Sequence, residues 1–358
     1  MQAAEILECP DMGWARKRYS KERVDEAGTI LINDEAPLGD KERAEEVINN
    51  WRSCHAFPLN TFQVGLRRLS KRVDRRGLVA QRIKRLSSIE DKLKRITRLS
   101  LSEIQDIGGC RAVVSTIAQV DRLVKAYEQS HIKHKLVNKD DYIRNPKKSG
   151  YRGVHLIYTY RSDRTKNYNG LKIEVQLRSK LQHAWATAVE TVGTFTRQAL
   201  KSSRGEADWL RFFQLMGTAI AIREESPPCP HTPTNALILR KELKLYATKL
   251  DIESRLRTYG EALKTSASPG AKRAHYFLLE LNPTAERMKI TGFKSSELSK
   301  ASKEYFAAER AIADIGADAV LVSVESLTSL RRAYPNYFLD TKVFLQAVRE
   351  AIEENYLA

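Results

Sequence analysis

The residue types best suited to holding a chain of phosphates are concentrated in one basic segment. It contains Arg82, Lys84, Ser88 and Lys92, and positions 84, 88 and 92 are spaced four residues apart. On a helix this spacing places the three side chains on one face, and a cationic face with a hydroxyl can bind a triphosphate. A solvated basic helix is the alternative that this segment leaves open by itself.

A second cluster combines a carboxylate and a guanidinium at the start of an apolar run. Asp106 and Arg111 flank Gly108-Gly109, and the run continues as Ala-Val-Val. Carboxylate oxygens are ligands that Mg²⁺ prefers, and a guanidinium binds phosphate. The pattern therefore favours a metal ligand beside a phosphate-binding residue, with a turn carrying a surface ion pair as the alternative.

A third cluster is the loop 141–155, which is rich in lysine, arginine, tyrosine and glycine and leads into an apolar strand. Its cations, including Lys147, could contact phosphates, and Tyr151 offers a flat ring on which a base could stack. His155 lies at the start of the strand. The loop thus has the residue types of a nucleotide-binding segment.

One apolar strand farther on carries polar residues at alternate positions, namely Glu174, Gln176 and Arg178. Strand alternation places all three on one face, where they are difficult to explain as core. The familiar signatures GxxxxGK[ST], GxGxxG, HExxH and GxSxG are absent, so any ATP would be bound without a Walker-type loop.

Length and composition restrict the class of protein. The chain has 358 residues, enough for about two domains, and 42% of them are hydrophobic, which excludes global disorder. No apolar stretch approaches the ~18 residues that span a bilayer, and the N-terminus lacks the apolar core of a signal peptide. The four cysteines are far apart and form no CxxC pair. We therefore expect a cytoplasmic protein with no membrane partner.

The positive charge is unevenly distributed along the chain. The net charge is +17; residues 1–225 hold 42 Lys+Arg against 28 Asp+Glu, a net of +14, whereas the remainder carries +3. An excess of this kind indicates a part that binds phosphates or nucleic acid. A merely soluble basic surface is the alternative.

The pattern of apolar residues predicts the fold class α/β (α+β): a mixed sheet flanked by helices, followed by a smaller α+β domain. The clearest interruption of this pattern is the proline-rich segment 224–234, which we interpret as a linker. The predicted strands and helices are strands at 110–115, 154–160, 171–177, 274–281, 287–293 and 319–324, and helices at 40–57, 60–76, 119–130, 179–200, 206–224, 236–263, 296–313 and 340–354. Residues 78–97 are predicted to be either a strand followed by a helix or a helix. The predicted domains are an N-terminal basic extension (1–44), a first domain (45–224), a linker (225–235) and a C-terminal domain (236–358).

The order of these clusters resembles the synthetase domain of RelA/SpoT-type alarmone synthetases. The matching motifs are Arg-x-Lys-x3-Ser-x3-Lys from 82, Asp-x4-Arg from 106, Tyr-Ile-x2-Pro-Lys-x2-Gly-Tyr-x3-His from 142 and Glu-x-Gln-x-Arg from 174. The resemblance covers residues 45–224. It implies an ATP-dependent pyrophosphokinase that moves the β,γ-diphosphate of ATP to a ribose 3′-hydroxyl and releases AMP.

The resemblance also implies roles for individual residues. Asp106 would bind Mg²⁺, and Glu174 would bind the metal or act as the general base. ATP would be held by Arg82, Lys84, Ser88, Lys92 and Arg111, and the acceptor by Lys147, Tyr151, His155, Gln176 and Arg178. The sequence departs from the family at Asp91, where arginine is frequent, and at Thr191, where histidine is usual after glutamate. Both departures weigh against a free guanine nucleotide as acceptor.

The whole chain is similar to the CapRel-type fused toxin–antitoxin proteins, which are relatives of the alarmone synthetases. The similarity implies that a Tyr-x-x-Tyr motif, here Tyr334 and Tyr337, folds over the ATP site until a phage capsid or other phage structural protein binds the C-terminal domain. It further implies that the acceptor is the 3′-CCA end of tRNA, so that translation stops. Packing of the C-terminal domain is the alternative role of the two tyrosines. We expect no zinc at Cys229 and His231, and a monomer.

The main hypothesis is therefore a self-inhibited tRNA pyrophosphokinase acting in defence against phages. A (p)ppGpp or (p)ppApp synthetase acting on free nucleotides is the enzymatic alternative. A non-catalytic RNA-binding regulator is the second alternative, which the presence of both Asp106 and Glu174 disfavours.

Overall fold

The computed structural model describes residues 14–130, 132–196, 200, 205–262, 264–269, 271, 274–282, 284–312, 317–338 and 340–353. Residues 1–13 of the predicted N-terminal extension, with Cys9, lie outside the described residues. The helices are α1 (Lys21–Ile32), α2 (Leu38–Cys54), α3 (Ala56–Val73), α4 (Leu86–Arg95), α5 (Ile117–Glu128), α6 (Lys180–Thr196), α7 (Ala207–Arg223), α8 (Ala236–Lys249), α9 (Ile252–Ala262), α10 (Leu298–Ile312), α11 (Leu327–Ala333) and α12 (Lys342–Ile352). The strands are β1 (Leu78–Ile83), β2 (Gly108–Val114), β3 (Lys135–Asp141), β4 (Val154–Thr159), β5 (Lys172–Ser179), β6 (Lys264–Ala267), β7 (Tyr276–Asn282), β8 (Arg287–Phe293) and β9 (Asp318–Ser323).

The described strands form one nine-stranded mixed sheet in the order β3-β4-β5-β2-β1-β9-β7-β8-β6. β2 and β5 run parallel, whereas β1, β4, β7 and β9 pair antiparallel with their neighbours. Helices flank the sheet, which confirms the predicted α+β class. The edge strands β3 and β6 were not predicted, because β3 is mostly exposed and lacks a clear apolar alternation.

The two halves of the chain meet in the middle of the sheet. β1 pairs with β9 through Gln81 with Ser323 and Arg82 with Val322. Strands from both sides of the predicted 225–235 boundary therefore share a single ladder of backbone hydrogen bonds. An apolar cluster that contains Leu78 and Ala80 of β1 also contains Val320 and Val322 of β9. The C-terminal part is thus packed against the strand that carries Arg82.

Three further cores complete the described part of the molecule; the smallest joins α10 to β7, β8 and β9, and the other two are larger. One lies against the sheet beneath α1, α2, α3, α4 and α5, with Leu66, Ile89 and Ile173 among its fully buried side chains. The other is helical and joins α6 and α7 to α8, α9 and α12. Elements from before and after residue 225 contribute to it, so the helices of the C-terminal part are also packed against the front of the chain.

The proline-rich segment is packed onto the helical core rather than extended into solvent. Arg152 donates hydrogen bonds to the Pro227 carbonyl (2.8 Å) and to Ser226 Oγ (2.7 Å), and the backbone N–H of the buried Cys229 donates to Thr218 Oγ1 (3.0 Å). These contacts satisfy backbone groups that the prolines prevent from joining a helix or strand.

The helix predicted over 236–263 is two helices, α8 and α9. Asp251, between them, has a φ of 47°. A left-handed residue ends a helix and redirects the chain, and aspartate adopts this conformation more readily than most residues. No helix among the described residues is long and apolar enough to cross a membrane.

Substituting Phe344 by alanine tests how firmly α12 is integrated. Phe344 is fully buried, with its ring centroid 5.9 Å from that of Phe213 and 6.2 Å from that of Phe212. We expect Phe344→Ala to lower the free energy of unfolding by about 3–5 kcal/mol, measured by urea denaturation. Val343→Ala is the matched control, because its side chain is 39% exposed. Equal denaturation midpoints for the two variants would contradict the packing described.

Candidate active site

A cavity of about 650 Å³ lies over the middle of the sheet. Its walls come from β1, α4, β5 and α6, the loop before β4, and two short stretches of the C-terminal part around 317–318 and 336–337. The predicted site residues that line it are Arg82, Lys84, Ser88, Lys92, Asp106, Lys147, Tyr151, His155, Glu174, Gln176, Arg178 and Tyr337. Arg111 and Tyr334 line a small adjoining cavity that shares Arg82, Asp106 and Glu174.

The register of the sheet explains why residues far apart in sequence meet here. Arg82 of β1 is opposite Gly109 of β2, and Gly109 is opposite Glu174 of β5. Two residues farther along β5, Gln176 is opposite Arg111 of β2 on one side and His155 of β4 on the other. Residues opposite one another on neighbouring strands face the same side of a sheet, so these polar groups form one continuous polar surface.

Asp106 is held by two lysines. Lys84 Nζ donates to its Oδ2 and Lys92 Nζ to its Oδ1, both at 2.8 Å. Burial by itself would raise the pKa of Asp106, but the two ammonium charges outweigh it and hold the pKa below its usual range. The carboxyl is therefore ionised. Two elements, the end of β1 and α4, bring cations to the same carboxylate.

Glu174 forms an ion pair with a histidine. The distance from His155 Nδ1 to Glu174 Oε1 is 2.7 Å, and Gln176 Nε2 donates to Glu174 Oε2 at 2.6 Å. Burial would lower the pKa of His155, but Tyr151 and Glu174 raise it to about 9. Burial would raise the pKa of Glu174, and His155 lowers it. The pair is thus an imidazolium and a carboxylate near neutral pH.

Tyr151 is part of the same network. Its hydroxyl lies 2.5 Å from His155 Nε2 and accepts a hydrogen bond from Arg178 Nη2 (2.7 Å), whose second acceptor is Gln176 Oε1 (3.0 Å). Its ring is only 7% exposed, and the Arg178 guanidinium carbon lies 5.1 Å from the ring centroid. In this structure the ring is packed within the protein, so base stacking on Tyr151 stays a prediction.

Tyr142 is the first residue of the third motif, but the sequence analysis gave it no role. It is half-buried, and Lys147 Nζ lies 4.1 Å from its ring centroid, closer than to Tyr151 at 5.5 Å. Its position, nine residues before Tyr151 in the same loop, was visible in the sequence as a tyrosine in a basic loop. Further cavity-lining charges that were not predicted as site residues are Arg85, Asp91, Arg95, Glu190 and Asp318.

The two tyrosines of the C-terminal part lie directly against the cavity and its neighbouring strand β1. The Tyr334 hydroxyl donates to the Gln81 carbonyl of β1 (2.8 Å), and its ring centroid is 5.4 Å from the Arg111 guanidinium carbon. Arg111 Nη2 also donates to the Ala333 carbonyl (2.5 Å). The Tyr337 hydroxyl donates to Asp318 Oδ2 (3.1 Å). Arg111 is therefore engaged by the C-terminal part in this conformation.

Comparison with known proteins identifies the segment that carries this site. Residues 81–195 match the family model described as the region found in RelA/SpoT proteins. This segment is similar to the region found in RelA/SpoT proteins. The chain is 35% identical over 111 residues to GTP pyrophosphokinase YwaC and 30% identical over 111 residues to GTP pyrophosphokinase YjbM, both of Bacillus subtilis strain 168. Each match covers 30% of this chain and 52% of the relative, so the chain spans about half the length of these curated relatives.

Solved structures give a weaker likeness. Small alarmone synthetase 2 from Bacillus subtilis is 21% identical and aligns over 57% of this chain and 97% of that one, with a TM-score of 0.39. The protein smu.1046c from Streptococcus mutans UA159 is 23% identical over 48% of this chain and 89% of that one, with a TM-score of 0.40. These scores are too low to support an argument. The RelA/SpoT assignment rests on the match over 81–195.

The His155–Glu174 pair predicts a pH dependence of stability. Because the pKa of His155 is raised from 6.5 to about 9, its contribution is complete below about pH 6.5 and is lost as the pH rises through 9. We expect the free energy of unfolding to fall by up to about 3 kcal/mol across this window, and His155→Gln to abolish that step. Urea denaturation at several pH values measures it. His275→Gln is the control, since burial lowers the pKa of His275. An unchanged slope in His155→Gln would contradict the ion pair.

Proposed function

We propose that this chain is a self-inhibited pyrophosphokinase that transfers the β,γ-diphosphate of ATP to the 3′-hydroxyl of the tRNA CCA end. The observation that carries the proposal is the single cavity in which two ionised carboxylates, Asp106 and Glu174, lie among cations from four separate strands and helices. Fixed charges of this kind stabilise the charge that spreads over phosphoryl oxygens in the transition state.

In the proposed reaction the 3′-oxygen attacks the β-phosphorus of ATP, the bond from that phosphorus to the α,β-bridging oxygen breaks, and AMP leaves. The hydroxyl proton passes to Glu174, if that residue is the general base rather than a metal ligand. The cations of the donor side are Arg82, Lys84, Lys92 and Arg111, with Ser88 as a hydroxyl donor. Glu174 and the acceptor-loop residues His155 and Tyr151 already share one hydrogen-bonded network.

Mg²⁺ is the proposed cofactor, and the donor set fits it. Mg²⁺ binds through one or two carboxylates together with substrate phosphates and water, and Asp106 and Glu174 are carboxylates in one cavity. The negative charge of Asp106 raises the pKa of Glu174, so the two groups are close enough to interact. When bound, the ion would neutralise charge on the transferred group. Lys84 and Lys92 would then share Asp106 with it.

The choice of tRNA as acceptor is supported by charge. A broad basic surface outside the cavity would favour the binding of a tRNA. The end of α3 and the following turn present the exposed side chains of Arg68, Arg72, Arg75 and Arg76. Asp91 adds a carboxylate to the cavity wall, which disfavours an acceptor that brings its own diphosphate. A guanine nucleotide as acceptor, giving an alarmone, is the second candidate, because both curated relatives are named GTP pyrophosphokinases.

Self-inhibition is supported by the position of the C-terminal tyrosines. Tyr337 lines the cavity, and Tyr334 covers the Arg111 guanidinium that would otherwise be available to a phosphate. Both rings are nearly fully buried, at 4% exposed for Tyr334 and 2% for Tyr337. Following the CapRel-like organisation of the chain, we further propose that a phage structural protein binds the C-terminal part and shifts the population towards an open form. The protein would act as a monomer.

The acceptor is tested with ATP labelled in the γ-phosphate. Full-length protein, and a Tyr334→Ala/Tyr337→Ala variant as the released form, are offered bulk tRNA, GDP and GTP in parallel. We expect label to move to tRNA, at least tenfold faster with the released form. Glu174→Gln in the released form is the inactive control. Label moving only to guanine nucleotides would instead establish the alarmone synthetase, and no transfer from any form would contradict the enzymatic proposal.

The inhibitory contact is tested in the host cell. Tyr337→Ala should make the protein toxic without phage, because it opens the cavity that the ring lines. Tyr337→Phe is the matched control; it keeps the ring and removes only the hydrogen bond to Asp318. Point substitutions are preferred to deletion of 226–358, since that part shares the sheet and the helical core that contains α6 and α7. Equal growth of cells carrying either variant, at equal protein levels, would contradict self-inhibition by Tyr337.

A further inference from the structure

A fully buried arginine joins the N-terminal helices to the C-terminal part. The Arg52 side chain of α2 is 0% exposed, and Glu309 of α10 binds it with both oxygens, at 2.8 Å to Nη1 and 3.0 Å to Nη2. Tyr305 of α10 accepts from Arg52 Nη2 at 2.9 Å. A buried guanidinium is costly unless it is paired and hydrogen-bonded, so this cluster requires its C-terminal partner.

The same cluster holds the backbone where β1 passes into α4. Arg52 Nε donates to the Lys84 carbonyl at 2.9 Å, and Glu309 Oε1 accepts from the backbone N–H of Leu86 at 3.0 Å. Leu86 is the first residue of α4, and its N-cap residue, Arg85, makes no side-chain capping bond. A carboxylate on the first N–H of a helix satisfies an otherwise unpaired donor and favours the positive end of the helix dipole.

The connection held in this way carries the cations of the donor side. Lys84 directly follows β1, Ser88 lies in the first turn of α4 and Lys92 in its last turn, and Lys84 and Lys92 meet at Asp106. Glu309 does not line the cavity. From its position on α10 it accepts a hydrogen bond from the first residue of α4. A carboxylate 223 positions along the chain from Leu86 therefore caps the helix that presents these groups.

We propose that Glu309 is a positioning residue for the donor-phosphate site: it caps α4 and, through Arg52, fixes the turn between Lys84 and Leu86. This inference rests on the proposed function in assigning the phosphates of ATP to Lys84, Ser88 and Lys92. Its consequence is that the C-terminal part has two opposed roles. The segment around Tyr337 covers the cavity, whereas α10 holds the start of α4, which forms one of the cavity walls, so releasing the first must leave the second in place.

The test compares two double variants of the full-length chain. Arg52→Met/Glu309→Gln and Arg52→Met/Glu309→Leu both remove the buried charges, but only the first keeps an oxygen that can accept from the Leu86 N–H. Replacing a buried ion pair by uncharged groups of similar size is frequently neutral for stability, and circular dichroism with thermal melting checks the fold. Glu304→Leu, on the same helix, is the control for substitution of a glutamate on α10.

Two readouts are measured: hydrogen exchange of the α4 amides, and affinity for a non-hydrolysable ATP analogue, in the native background and with Tyr334→Ala/Tyr337→Ala. We expect the Glu309→Leu double variant to lose protection at the start of α4 and to bind the analogue about tenfold more weakly than the Glu309→Gln double variant, because it leaves the buried Leu86 N–H without an acceptor. Glu304→Leu should match the parent. Equal exchange and equal affinity in the two double variants would overturn the proposal.

The outcomes separate this inference from the proposed function. If no form binds the analogue, including the parent, the proposed function fails, while exchange still reports whether Glu309 caps α4. If the analogue binds but both double variants behave alike, the proposed function stands and the positioning role fails. Should the Glu309→Leu double variant not fold, Glu309→Asp in the native background shortens the side chain by one methylene. It should then raise the KM for ATP about tenfold and change kcat by less than threefold; an unchanged KM would overturn the proposal.

Discussion

The pairing of opposite charges inside a half-buried cavity is the constraint on which the rest of the structure depends. Asp106 with Lys84 and Lys92, and Glu174 with His155, keep two carboxylates ionised where burial would favour their neutral forms. Each pair joins different elements of the sheet and its helices, so the site exists only when the sheet is assembled. In the proposed reaction, a substrate phosphate would meet charges that are already fixed, which would lower the reorganisation needed during transfer.

The strand that supplies Arg82 is also the strand on which the C-terminal part is built. Because β1 pairs with β2 on one side and β9 on the other, the site and the element that covers it are joined by the same ladder of hydrogen bonds. If the protein is self-inhibited as proposed, its release would not be a simple detachment of one domain. A local movement of the turn at 334–337, with β9 and α10 left in place, disturbs far fewer buried groups.

The prediction of the site depended on the spacing of polar residues, and most of those residues meet. Alternation at 174, 176 and 178 placed three side chains on one face because a strand has a period of two, whatever its neighbours are. The sequence could not indicate that Tyr151 would be buried by Arg178 and the surrounding rings, because burial depends on what packs against a loop. Nor could the sequence indicate the contact between Arg52 and Glu309, which are 257 positions apart and match no motif.

What the sequence determined by itself is the local chemistry: the carboxylates, the basic segment that contains Lys84 and Lys92, the strand that carries Glu174, and the α+β class. These follow from short-range periodicity and from residue type. The helical spacing from Lys84 was wrong in part, because Lys84 lies between β1 and α4 and only Ser88 and Lys92 are on the helix. The tertiary structure alone decided that 225–235 is packed, that 236–263 is two helices, and that strands from both halves share one sheet. Those features arise from backbone hydrogen bonds and buried surfaces between residues far apart in the chain, and no local pattern encodes the choice of partner.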